Sequence, residues 1–231
     1  RPNPYQEFIY TIKFLIDILL TRFKGTHLVW TIHNQIEHET IFPYLERWIR
    51  QILINIADHI IIHNHSTLEI LSQEYTFLKE KVTVIAHGHY RTIYLPGINP
   101  IEARQQLDLS INRRLYLHLG ALRPYKGIEH LLEVWQANKV SLSNSLLLIA
   151  GCTYDQNYTN QLNALTQQCT NVILHPQFIE DKRIHLYLSA ADVVVLPYTR
   201  ILTSGSVILA MSYGKPVIAP RLGSIPETLG D

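Results

Sequence analysis

Leu115-Tyr116-Leu117-His118-Leu119-Gly120-Ala121-Leu122-Arg123-Pro124-Tyr125-Lys126-Gly127 is the stretch whose reading decides the fold. Its first five residues form a mostly apolar run of strand length, and Gly120 opens a turn carrying two cations, Arg123 and Lys126. From Ile128 to Ala137 apolar residues recur at helical spacing, and Leu146 to Ala150 is a continuous apolar run. Strand, turn, helix and strand in that order predict a parallel βαβ unit, because parallel strands need a crossover of helix length and right-handed sense.

The alternation continues towards the carboxyl end: helix from Gln156 to Gln168, strand Val172 to Leu174, helix Lys182 to Ser189, strand Val193 to Leu196, helix Ser206 to Tyr213 and strand Pro216 to Ala219. That is a five-stranded doubly wound unit. Upstream, strands are expected at His27 to Ile32, His59 to His63 and Val82 to Ala86, with helices from about Ile41 to Ile56 and from Ser66. Ser66 and Glu69 have the spacing of a capping box. Three strands are few for an independent sheet of this kind. His87-Gly88-His89-Tyr90, Pro96-Gly97 and Asn99-Pro100 punctuate a linker, so the expected domains are 1–96, the second part of which is hinge, and 97–231.

Between Tyr5 and Phe23, Phe8, Ile9, Ile12, Leu15, Ile16, Leu19 and Leu20 fall at spacings of three and four, an amphipathic helix ended by Lys24-Gly25. Lys13, Asp17 and Arg22 interrupt it, which argues against a span of about 20 apolar residues. A helix packed on a sheet is the expectation, and one lying on a membrane surface the alternative.

The whole chain has 231 residues, 20 basic and 19 acidic, with 47% hydrophobic and 17% charged. Such a balance excludes a nucleic-acid binder held by phosphate contacts and an acidic disordered segment. Cys152 and Cys169 are too few for a disulfide scaffold and suit a reducing compartment. Twelve histidines and thirteen tyrosines are the compositional oddities. Arg1 opens the chain with no basic-then-apolar leader after it, which reads as an excerpt.

Ligands of open parallel sheets bind outside the carboxyl ends of strands, so the residues just after each strand are the candidates. After the Leu115 strand, Gly120 permits close approach, Arg123 and Lys126 bring positive charge, and a helix begins near Gly127, together a cradle for phosphate. A solvated pair of loop cations is the plain alternative. After the Val193 strand, Thr203, Ser204 and Ser206 offer hydroxyls, Gly205 a close approach, and the following helix its free amides. An ordinary cap with a glycine turn would look the same. After the His27 strand, His33, Glu37, His38 and Glu39 could ligate a metal, but they lack the HExxH order that sets two histidines on one helix face. No metal is expected, and His33 is better read as a substrate contact. His63 with His65, and His87 with His89, share a face if extended, and read as imidazoles hydrogen-bonded at strand ends and hinge.

From about Leu115 onward the chain resembles the carboxyl-terminal half of GT-B fold glycosyltransferases of family 4, the group 1 glycosyltransferases. Gly120 to Gly127 is similar to that family's G-x-x-x-x-x-K-G turn. Leu146 to Gly151, Ala190-Ala191-Asp192-Val193-Val194-Val195-Leu196-Pro197-Tyr198 and Leu209-Ala210-Met211-Ser212-Tyr213-Gly214-Lys215-Pro216-Val217-Ile218-Ala219 follow in the family's order. The first half matches through Thr31 to Asn34, Ala57 to Ile62 and Val82 to Gly88.

The resemblance implies an α/β GT-B architecture of two Rossmann-like domains, the first incomplete and the second cut at its carboxyl end. The second would bind the donor, a nucleotide-diphosphate sugar, and the first a sugar, polysaccharide or lipid-linked acceptor. Arg123 and Lys126 would pair with the diphosphate, Gly120 would let the chain approach it, and Ser204, Gly205 and Ser206 would meet phosphate or sugar. Phe178 and Ile179 would hold the nucleobase, and His33, the catalytic candidate, would lie beside the transferred sugar. The implied reaction is hexosyl transfer with retention, without metal or cofactor and without nucleic acid, in the cytoplasm or in peripheral contact with the inner face of the membrane.

The sequence departs from the family at one pair. The usual two glutamates separated by seven residues fall on Ile201 and Leu209, neither of which accepts a hydrogen bond. The ribose contact is then absent or supplied by Thr203 to Ser206. A non-catalytic nucleotide-sugar-binding or scaffolding homologue is therefore the competing reading. A GT-B epimerase would need carboxylates around the sugar, for which Glu180, Asp181 and Glu227 offer no defensible arrangement.

Overall fold

A computed structural model describes residues 4–34, 42–76 and 79–230, and the chain divides into two compact units, Arg1–Ala86 and His87–Asp231. The first unit carries helix α1 (Pro4–Phe23), strand β1 (Val29–Thr31), α2 (Pro43–Ile56), β2 (His59–Ile62), α3 (His65–Ser72) and β3 (Val82–Val84). Its strands run in the order β1-β2-β3, all parallel, with Thr31 opposite Ile61 and Ile62 opposite Val84. Ile60 and Ile62 of β2 are buried, as are Ile54, Ala57 and Leu71, whereas His59 and Ile61 on the strand's other face are half-buried.

Two expectations are corrected in this unit. Asn64, in an extended conformation, is the N-cap of α3, so Ser66 lies inside the first turn and the capping box with Glu69 does not form. A box requires its Ser or Thr at the cap itself, with non-helical backbone. Helix α1 exists as expected, but it is not buried against the sheet. Phe8, Ile9, Ile12, Ile16, Leu19, Leu20 and Phe23 are between 41% and 92% exposed. Its carboxyl end is tied down by Arg22, which donates to the Asp58 carboxylate. Asp58 also accepts from the Leu28 amide at 2.7 Å, and that amide and the guanidinium hold the carboxyl below the usual carboxylate range.

The second unit contains α4 (Pro100–Gln106), β4 (Arg114–Leu119), α5 (Ile128–Ala137), β5 (Ser145–Ala150), α6 (Gln156–Gln167), β6 (Val172–His175), α7 (Asp181–Ala190), β7 (Val193–Val195), α8 (Gly205–Ser212), β8 (Val217–Ile218) and α9 (Ile225–Leu229). The sheet order is β6-β5-β4-β7-β8, every pair parallel. Alternation along the central strands sorts side chains between two cores. Leu115, Leu117, Leu119, Leu146 and Leu148 pack with Ala103, Tyr187 and Val207. On the other face Leu147 and Ile149 pack with Ile128, Leu132, Trp135 and Leu162. Each such aliphatic side chain removed from water contributes about 1.5–3 kcal/mol.

Helix α4 has no counterpart in the sequence reading, which took Asn99-Pro100 for linker punctuation. The Asn99 side chain accepts from the Ile101 amide at 2.9 Å and Pro100 occupies the first turn, an N-cap followed by a proline that needs no amide partner. Residues 87–96 are bonded to the second unit. The Tyr90 amide donates to Ser212 Oγ at 3.0 Å and the Tyr213 hydroxyl donates to the Leu95 carbonyl at 2.6 Å.

Candidate functional site

In the second sheet β4 lies between β5 and β7, so the chain winds outward from β4 in one direction and resumes from β7 in the other. This is the topological switch point, where loops leaving adjacent strands part and open a crevice at the strands' carboxyl ends. The two segments that border it are Gly120 to Gly127 after β4 and Pro197 to Ser206 after β7, both singled out by the sequence.

Backbone geometry locks these segments together. Gly127 has φ +71°, and a Cβ there would stand 2.0 Å from the Pro197 carbonyl oxygen. The Thr199 amide and hydroxyl both donate to the Tyr125 carbonyl, at 3.0 and 3.2 Å. Gly120 has φ +143°, and a Cβ there would stand 3.6 Å from Ser206 Oγ, so the turn after β4 faces the start of α8. Gly120, Lys126, Ser204, Gly205 and Ser206 therefore gather at one end of the sheet.

Tyrosines brace both cations. The Arg123 guanidinium stands 4.9 Å from the centre of the Tyr154 ring. The Lys126 ammonium stands 4.5 Å from that of Tyr198 and 5.2 Å from that of Tyr125, distances at which a cation is attracted to the ring face. Lys126 Nζ also donates to the Tyr198 hydroxyl at 3.4 Å, and that hydroxyl lies 2.8 Å from Ser204 Oγ. Ser204 caps α8, its Oγ accepting from the Val207 amide at 3.3 Å. Tyr90 reaches the same helix start, for a Cβ on Gly205 would stand 3.0 Å from its hydroxyl.

His118 of β4 is fully buried near Lys126. Its Nδ1 is 3.1 Å from the Val195 carbonyl, and Nε2 has no hydrogen-bond partner among the described residues. Burial first, and the Lys126 charge second, push its pKa down to about 4. At neutral pH the imidazole is uncharged and carries its proton on Nδ1, which donates to the Val195 carbonyl.

The expected nucleobase pair divides. Phe178 is 69% exposed, whereas Ile179 is 9% exposed and belongs to the core, so of the two only Phe178 presents its side chain for stacking. Ile201 and Leu209, where the family carries glutamates, pack partly buried against the same core. Their apolar character satisfies that contact and leaves no carboxylate there.

In the first unit His33 follows β1 and His63 follows β2. Because β1 and β2 are parallel with Thr31 opposite Ile61, the two histidines come level. His63 Nε2 is 3.2 Å from His33 Nδ1, with ring centres 4.9 Å apart, and His63 Nδ1 is 2.9 Å from the Ile85 carbonyl. The partner of His63 is thus His33 across the strands, and His65 begins α3 instead. Glu37, His38 and Glu39 lie outside the described residues. Among the described residues no three His, Cys, Asp or Glu gather as a metal-binding group, and no helix is long and apolar enough to cross a membrane.

Sequence reasoning gave no role to Tyr90, Tyr154, Tyr198 or His118, and it paired His63 with His65 rather than with His33. The abundance of tyrosine was a signal without an address, because which tyrosine meets which cation depends on two loops far apart in the chain.

The family model for "Glycosyl transferases group 1" matches residues 100–231. The chain is 28% identical over 204 residues to GDP-mannose:glycolipid 4-beta-D-mannosyltransferase of Xanthomonas campestris pv. campestris, covering 88% of this chain and 52% of that protein. It is 25% identical over 191 residues to alpha-maltose-1-phosphate synthase of Mycolicibacterium smegmatis, covering 80% of this chain and 49% of that protein. It thus spans about half the length of the curated relatives it matches. Among solved structures, Anabaena HepE in complex with UDP and glucose superposes with a TM-score of 0.77 at 23% identity, over 94% of this chain and 59% of that one. Sucrose-phosphate synthase from Thermosynechococcus elongatus superposes with a TM-score of 0.71 at 21% identity, over 87% and 51% of the two chains. These likenesses establish the fold.

Proposed function

The chain belongs to the glycosyl transferases group 1 family, and on that premise we propose that it transfers a sugar from a nucleotide-diphosphate sugar to an acceptor hydroxyl. One observation carries the reading: the Arg123–Lys126 turn and the start of α8 are tied together at the switch point of the second sheet. Arg123, Lys126 and the first amides of α8 supply positive charge where a diphosphate would lie, with Gly120 letting the backbone close on it. In the reaction the acceptor oxygen bonds to the anomeric carbon as the bond from that carbon to the diphosphate oxygen breaks. The acceptor's proton leaves, and the nucleoside diphosphate departs with one more negative charge. Groups that meet this growing charge lower the barrier, since they bind the transition state better than the substrate.

The charge compensation assigned to these residues makes the transfer metal-independent in our reading, and the family resemblance favours retention of configuration. Phe178 is assigned to the base and His33 to a place beside the transferred sugar. GDP-mannose and a glycolipid are the first substrates to try, because the Xanthomonas relative is named for them. The exposed apolar side chains of α1 suit peripheral contact with the cytoplasmic face of a membrane, which flotation of the protein with anionic liposomes tests.

The deciding experiment measures release of nucleoside diphosphate from a panel of sugar nucleotides. Arg123→Ala combined with Lys126→Ala abolishes turnover of whichever donor the wild type uses, and unchanged turnover rejects the assignment. The apolar Ile201 and Leu209 favour one competing reading, a non-catalytic nucleotide-sugar-binding homologue. Donor that binds but is neither transferred nor hydrolysed across the acceptor panel would decide for it.

A further inference from the structure

Proton directions around Tyr198 follow from which groups are able to accept. Lys126 is an ammonium and donates only, so the Tyr198 oxygen accepts from it at 3.4 Å. The 2.8 Å contact between Tyr198 and Ser204 admits either donor. Tyr198 is 3% exposed, and if Ser204 were the donor, the buried phenol proton would have no acceptor among its hydrogen bonds, a costly arrangement. The phenol therefore donates to Ser204 Oγ. That oxygen also accepts from the Val207 amide at 3.3 Å, so both its lone pairs are committed and its own proton is left to donate elsewhere. Ser204 is the N-cap of α8, beside the helix amides and the Gly120 turn.

We propose that Tyr198 is a positioning residue that joins the two halves of the anion cradle, holding Lys126 on one side and, on the other, setting the Ser204 hydroxyl as a donor to a bound diphosphate. The proposal rests on the nucleotide-sugar reading above and adds to it a residue that acts through Lys126 and Ser204 rather than on the ligand itself. The ring supports the ammonium, and the hydroxyl fixes the polarity of the chain Lys126, Tyr198, Ser204. An unoriented Ser204 could rotate and donate to a backbone carbonyl, and the cradle would lose one charge-assisted hydrogen bond.

Tyr198→Phe keeps the ring and removes the link. Calorimetric titration with GDP, UDP and ADP, and with guanosine, uridine and adenosine as phosphate-free controls, reads the effect. For the diphosphate that the wild type binds, Tyr198→Phe weakens affinity about tenfold, the size of one hydrogen bond to a charged group, while the matching nucleoside binds as before. Ser204→Ala produces the same loss, and the double variant loses no more than either. Unchanged diphosphate affinity in Tyr198→Phe, equal weakening of nucleoside and diphosphate, or additive losses in the double variant overturn the proposal. If Tyr198→Phe fails to fold, Ser204→Ala alone carries the test, and unchanged diphosphate affinity there overturns it. A wild type that binds none of the three diphosphates, or one whose Lys126→Ala variant binds them equally well, overturns the nucleotide-sugar reading and this proposal with it. Retained dependence on Lys126 without dependence on Tyr198 sinks this proposal alone.

Discussion

The imidazoles of His33 and His63 are joined Nδ1 to Nε2 at 3.2 Å, and His63 is anchored in turn by the Ile85 carbonyl, 2.9 Å from its Nδ1. A carbonyl accepts only, so His63 carries a proton on Nδ1. With both rings neutral, His63 accepts at Nε2, His33 carries its proton on Nδ1, and the His33 Nε2 holds a lone pair. A neutral imidazole with that lone pair has the means to accept a proton, the chemistry that a general-base role for His33 in the proposed transfer would need.

His63→Phe keeps a ring of similar size but removes both hydrogen bonds, so the His33 tautomer is no longer fixed. Initial-rate kinetics on the donor found in the panel should show kcat lower by about 10- to 100-fold, below the full range for loss of a general base, with the donor KM little changed. A KM effect with kcat intact would mean that His33 contacts substrate without moving its proton.

Gly127 is a second relationship with a measurable consequence. An alanine there would hold a left-handed backbone and place its Cβ 2.0 Å from the Pro197 oxygen. Left-handed backbone alone costs a β-carbon-bearing residue about 1–2 kcal/mol, and relieving the clash means separating the loops after β4 and β7. Gly127→Ala should lower the thermal midpoint by on the order of 10 °C at about 2–4 °C per kcal/mol for a chain of this size. It should also weaken diphosphate binding, since the moved loops carry Lys126 and Ser204.

The second unit was legible because its signals are local. Leu146 to Ala150 is a continuous apolar run, Leu115 to Leu119 is interrupted only by His118, and the glycine and cap residues after β4 and β7 sit beside the strands they follow. What escaped was set by register and by distant packing. His33 and His63 are thirty positions apart and meet only because Thr31 pairs with Ile61. Tyr198 and Lys126 lie on different loops, and their contact depends on the order of β4 and β7 in the sheet. The exposure of α1 could not be read from its spacing, since an apolar stripe looks the same whether or not a partner covers it. Ser66 and Glu69 had the right spacing for a box, but Asn64 took the cap.

Arg104 shows how part of the family-like Ala190-Ala191-Asp192 stretch serves stability. Its buried guanidinium donates to the Ala190 carbonyl at 3.0 Å, to the Ile111 and Arg113 carbonyls at 3.1 Å each, and to Asp192 Oδ2 at 2.7 Å. Asp192 Oδ2 also accepts from the Leu115 amide at 2.7 Å, pinning the start of β4. Arg104→Met fills the stem but strands three carbonyls and a carboxylate. Urea denaturation should show a loss of about 1–3 kcal/mol, the cost of leaving buried carbonyls unsatisfied while water meets the exposed Asp192 carboxylate, and a loss below about 1 kcal/mol would mean that water replaces the guanidinium at the carbonyls too.

His118 makes stability depend on pH in a direction that its burial dictates. Its folded pKa, about 4, lies below the value of about 6.5 expected in the unfolded chain. Between those values the unfolded chain binds a proton that the folded one does not, so unfolding gains as pH falls. The full contribution is present above about pH 6.5, is lost progressively down to about pH 4, and is gone below. A tenfold difference in proton affinity between the folded and unfolded chains is worth about 1.4 kcal/mol, so moving from about pH 7.5 to about pH 5 should remove on the order of 2 kcal/mol. Lys126 is the charged group acting on this imidazole. His118→Asn keeps a donor for the Val195 carbonyl but does not titrate. Urea denaturation of both proteins at about pH 7.5 and about pH 5 should therefore show the wild type losing about 2 kcal/mol more than the variant. Equal losses would mean that His118 takes up its proton without unfolding, with the Nε2 proton and the Lys126 charge accommodated together in the folded protein.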